Sequence, residues 1–145
     1  MAQRHDGTLM SHFDSHDLPL STSSENAAEH YRNGISLLLS GWHGAELEFD
    51  AALTADPSFA LANAALARHH IMTGNTVGAK TAIERAASLV QRRGTERERS
   101  HVEVIRRAVA MLSKQALTAA LEHAERWPRD VLILGLPLGA FGLLA

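Results

Sequence analysis

The sequence predicts an all-α fold, and three observations carry that expectation. Alanine fills 24 of the 145 positions and leucine 20, while valine and isoleucine together fill only 11. That balance suits helices, because strands favour β-branched and aromatic side chains, and the aromatic content is 5%. Glycines, prolines and helix-start residues cut the chain into segments of three to four helical turns. Finally, one apolar triplet returns after 34 residues, the mark of a repeated helical unit.

Residues 1–20 read as a polar N-terminal arm, with three histidines, three aspartates and no sustained periodicity. Leu18-Pro19-Leu20 closes it as an extended segment able to pack on the first helix. Thr22 and Glu25 have capping-box spacing, so a helix is expected to about Ser40, with Ala27, Tyr31, Ile35, Leu38 and Leu39 on one face. Gly41 to Gly44 break it. A second helix runs to about Ala55, and Asp56-Pro57 reads as a cap with a proline in the first position of a third. That helix stops at Gly74, and a fourth spans about Val77 to Arg93 before Gly94. Thr95 and Glu98 give a second capping box and a fifth helix to about Leu112. Ser113 is expected to cap a sixth, ending at Trp127-Pro128, and a seventh fills the C-terminus.

The triplet Ala45, Phe49 and Ala52 recurs as Ala79, Ile83 and Ala86, and again 38 residues later as Leu117, Leu121 and Ala124. Small residues let paired helices approach, and the large side chain wedges between pairs. Pro57 follows the first triplet, and Leu66 and Ala67 hold the corresponding positions of the preceding helix in the second unit, with Asn63 and His70 beside them. His101, Val104, Ile105 and Ala108 match more loosely in the third. This arrangement resembles the tetratricopeptide repeat, a 34-residue helix–turn–helix unit. The expected architecture is a right-handed α-α superhelix, a solenoid of three helix pairs plus an unpaired C-terminal helix. Its repeats span about 24–57, 58–93 and 95–128 within a domain of 21–145, with an incomplete fourth at 129–145. Asp17 to Ser24, Asp56 to Phe59, Thr95 to Val102 and Trp127 to Asp130 more narrowly resemble the N-terminal part of the tetratricopeptide repeat protein 38 family. That resemblance implies a fold, and no reaction or cofactor.

With no cysteine, the chain has neither a disulfide framework nor a thiolate nucleophile. Residues 1–60 carry two arginines against nine acids, and 61–145 carry twelve basic residues against seven acids. The second half is too weakly basic to suggest a nucleic-acid partner. The N-terminus has no apolar core of a secretory signal, and the uncharged stretch 131–145 is short for a membrane span, so a cytoplasmic protein with no membrane partner is expected.

Nine histidines invite a search for metal or catalytic sites. His12 and His16 share a spacing of four but have no fixed further ligands, and His69 and His70 point to different sides of one helix. The expected metal, cofactor and catalytic complement is therefore none. The run Arg92 to Arg107 holds six arginines and three glutamates, which reads as a solvated face with local pairing. In a solenoid the first helix of each pair lines the concave groove, and the 38-residue offset makes Arg68 and Arg106 equivalent. Together with His69, Met72 and Arg99 they are the expected contacts for a partner protein or peptide, two guanidiniums gripping a carboxylate. The leading expectation is a non-catalytic interaction scaffold. Two alternatives stand beside it: an enzyme or metal-dependent module built on histidines of the arm and helices, and assembly through residues 131–145, as a homodimer or against the rest of a longer chain.

Overall fold

The computed structural model describes residues 12–135. Two short strands, β1 (His12–Phe13) and β2 (Pro19–Leu20), pair antiparallel with His12 opposite Leu20. Six helices follow: α1 (Glu25–Ser40), α2 (Ala45–Ala55), α3 (Ala60–Met72), α4 (Thr76–Arg93), α5 (Glu96–Val109) and α6 (Ser113–Arg126). A further helix, α7, begins at residue 131 and is described to 135. The described chain is mostly helical. Each helix from α1 to α6 packs on the next in sequence, and α3 also packs on α5.

Local chemistry explains most boundaries. The capping box at α5 is complete: the Thr95 side chain accepts from the Glu98 N–H, and Glu98 accepts from the Thr95 N–H. Gly41 ends α1 in the left-handed region, at φ 76°, and donates to the carbonyls of Leu37 and Leu38. Three starts differ from the sequence reading. Ser24, not Thr22, caps α1 by accepting from the Ala27 N–H, because the Thr22 hydroxyl is engaged with the Asp56 carboxylate at 2.6 Å. Asp56 caps the end of α2 and makes a turn by accepting from the Ser58 N–H and hydroxyl, so α3 begins at Ala60 rather than Pro57. Ser113 is the first residue of α6, and Leu112 holds the cap position without a side-chain bond.

The core runs through the helix contacts. Phe49 is fully buried and packs with Tyr31, which also meets Phe59. Gly34 lets α1 close onto α2, since a Cβ there would overlap the Phe49 ring. Ala45, Phe49 and Ala52 are buried on α2, and Ala79, Ile83 and Ala86 on α4. On α6 the buried residues are Ala120 and His123. Leu117 is half-buried and Leu121 is 47% exposed, so the third triplet lies one residue out of the expected register. The shift has a cause: His123 must face inward to reach α5 and the start of α7.

The arm from residue 12 is part of this packing rather than a free extension. Leu18 and Leu20 are buried, and the segment 19–22 crosses successive helix junctions. Thr22 donates to Asp56 before α3, Ser21 donates to Glu98 on α5 through both its N–H and its hydroxyl, and the Pro19 carbonyl accepts from Arg97. Arm residues 1–11 and tail residues 136–145 lie outside the described residues.

Candidate functional site

A buried carboxylate, Asp130, stands just before α7. Its Oδ2 accepts from Arg97 Nη1, His101 Nδ1 and His123 Nε2, each at 2.9 Å. Arg97 and His101 come from α5 and His123 from α6, and all four side chains are at most 6% exposed. With each imidazole donating to the carboxylate, His123 Nδ1 is left as an acceptor for the Ser100 hydroxyl at 2.8 Å. His101 Nε2 has no partner among the described residues. Burial works against ionisation of Asp130, but the charge and hydrogen bond of His101, the bond from His123 and the charge of Arg97 outweigh it. Its carboxyl is held well below the usual carboxylate range. Trp127 tilts against the His123 ring, and the Arg126 guanidinium lies 4.3 Å over Trp127.

Ser100, His123 and Asp130 stand in the order of a nucleophile, a base and an orienting carboxylate, and Ser100 borders an open pocket of about 440 Å³. The other half of such a site is a pair of donors for a developing oxyanion. Near Ser100, Arg107 is bound to Glu103 and Arg126 to Glu96. Through Asp130 the cluster ties the start of α7 to α5 and α6.

A second cluster joins α2 and α3. Glu46 Oε1 lies 3.5 Å from His69 Nε2, and ligand atoms of Glu46, His69 and His70 all fall within 4.8 Å of one another. His69 and Glu46 are partly open to solvent, while His70 is buried, 3.4 Å from Asn75 Nδ2. Asp50, one turn beyond Glu46, has its carboxyl raised by partial burial and then by the charge of Glu46.

The residues expected to line a partner groove have different surroundings. Arg68 is largely buried and donates to the Leu132 carbonyl at the start of α7, and burial pushes its guanidinium down to about 10. Gly135 also lies against it, and against Leu39 of α1. The chain's own residues 132–135 therefore cover the guanidinium that was expected to grip a partner. Arg106 instead binds Glu103 through two bonds, and together with Arg107 lowers that carboxyl to about 2. Arg99 donates to the Gly94 carbonyl. Met72 is 59% exposed. Arg106 borders an apolar groove of about 630 Å³ between α4 and α5, with Val77, Lys80, Ile83, Val109 and Met111. Among the described residues no helix is long and apolar enough to cross a membrane.

Arg97 and Asp130 were not expected as site residues because each sits in a charged run or a junction that looks solvated. The signal available was the Thr95–Glu98 box, which places Arg97 and His101 one turn apart on the same face of α5. Comparison with family models, with curated proteins and with solved structures gave no match.

Proposed function

We propose that the chain is a non-catalytic helical-repeat scaffold of the tetratricopeptide type, whose partner is a protein segment combining apolar and acidic side chains. The 34-residue periodicity and the sequential packing of α1 to α6, with α3 also reaching α5, support the repeat reading. The observation that carries the partner reading is the α4–α5 groove. Val77 and Met111 are 77% and 79% exposed, a large apolar offering, and Lys80 stands beside them to receive a carboxylate. This moves the docking surface away from Arg68, whose guanidinium serves α7. Assembly through the C-terminal stretch is the second reading. Within that stretch of residues 131–145, Leu132 and Ile133 are buried in the chain's own core.

Selection of peptides from a random display library on the purified chain tests the groove. Enriched sequences should pair apolar residues with Asp or Glu, and Met111→Glu with Lys80→Glu should weaken their binding at least about tenfold, equal to about 1.4 kcal/mol. Undiminished binding to that double variant sinks the proposal.

A further inference from the structure

Among the described residues two sets of imidazole and carboxylate ligands converge, and one of them is balanced for a cation. At Asp130 the single negative charge is already met by Arg97, and the set is closed to solvent. A dication there would add two charges to a buried set that already holds the Arg97 cation. Between α2 and α3 the balance is reversed. Glu46 and Asp50 bring two negative charges beside two imidazoles, and among the described residues no arginine or lysine pairs with either carboxylate.

The geometry is also close to that of a coordination shell. Zinc holds nitrogen and carboxylate oxygen at about 2.0–2.2 Å, so tetrahedral ligand atoms stand roughly 3.3–3.5 Å apart. Glu46 Oε1 and His69 Nε2, at 3.5 Å, already span one such edge. His70 completes a set whose atoms lie within 4.8 Å, and its ring is otherwise tied only by the long contact to Asn75. Adjacent residues diverge by about 100° around a helix, yet the two ring centroids lie only 5.7 Å apart. Glu46 and His69 side chains are 52% and 19% exposed, so an ion reaches the site from solvent.

We propose that Glu46, His69 and His70 bind a divalent transition cation of the zinc class, with Asp50 supplying nearby charge rather than a bond. Two nitrogens and one carboxylate oxygen suit a borderline cation over calcium or magnesium, which take mainly oxygen ligands. The fourth position is left to water. The ion joins the first turn of α2 to the last turn of α3, and because the ligands converge only in the folded chain, binding stabilises the fold by mass action.

The test is titration of the full chain with zinc chloride at neutral pH, in competition with a chromophoric chelator, alongside thermal unfolding with and without zinc. One ion should bind per chain, and His69→Ala or Glu46→Gln should each weaken binding at least about tenfold and abolish the zinc-dependent rise in Tm. Both positions are partly exposed, so these variants should keep the native circular dichroism spectrum. His30→Ala, at the separate His30–Glu48 pair, should bind as the parent does. Failure of the parent chain to bind zinc, wild-type affinity in His69→Ala, or an equal loss in His30→Ala overturns the proposal. Peptide binding in the α4–α5 groove is a separate readout, so either proposal can fail alone.

Discussion

The cluster at Asp130 and the cluster at Glu46 are built from the same parts, two histidines and a carboxylate, and differ in burial and charge. At Asp130 the acid is closed off from water and satisfied by a guanidinium and two N–H donors. At Glu46 the acid is half-open, has a second acid beside it, and faces imidazoles alone. The first is a finished structural joint. The second has coordination capacity to spare. The lesson is that residue type and proximity do not separate a fastening from a ligand site; the net charge of the enclosed set does.

The largest effect should come from breaking the finished joint. Asp130→Ala leaves Arg97 as an uncompensated buried charge and removes the acceptor of both histidines. A loss of about 3–5 kcal/mol is expected in urea unfolding, enough to threaten folding altogether. Asp130→Asn keeps the shape and gives the finer test through pH. Because the carboxyl of Asp130 is depressed in the folded chain, its stabilisation is present above the unfolded value of about 3.9 and is lost as pH falls. The urea midpoint gap between parent and Asp130→Asn should therefore be widest near neutrality and shrink from about pH 5 downward. A gap constant with pH would mean that Asp130 acts through shape alone.

These two clusters also mark how far the sequence could be read. Periodicity and caps located the helices because they are local signals, read within four residues. The Thr95–Glu98 box and the Gly41 stop formed as their chemistry demands. Thr22 misled because its true partner, Asp56, is 34 residues away, and a local rule gave its hydroxyl to the nearest helix. Leu121 misled because hydrophobicity assigned it to the core, whereas the bonds of His123 to Ser100 and Asp130 set the rotation of α6. Arg68 was read as a groove residue because nothing local reveals that residues 132–135 return to cover it. His69 and His70 were visible as a pair, but Glu46 joins them only through the packing of α2 on α3.

The arm supplies an intermediate case in Thr22, buried like Asp130 but joined to the Asp56 carboxylate by one bond. Thr22→Val removes one donor from the Asp56 carboxylate, which keeps its two bonds from Ser58. A loss of about 1.5 kcal/mol is expected, the lower end for a bond to a charged group, measured by urea unfolding. A loss as large as that of Asp130→Ala would show the arm, rather than the Asp130 joint, to be the main fastening.

The smallest effect, and the one of opposite sign, belongs to Asp50. Its raised carboxyl means that ionising it costs the folded chain free energy, so its contribution is unfavourable above its folded pKa and vanishes as pH falls below the unfolded value. In metal-free protein, Asp50→Asn should leave stability unchanged or raise it by up to about 0.5 kcal/mol near neutrality, since solvent screens an exposed group. With zinc present the sign should invert, because the variant forfeits charge that favours the cation. A carboxylate that costs stability alone and contributes it only with an ion is the behaviour expected of a site shaped for a ligand. Asp130 should show no such inversion, since its charge is met within the chain.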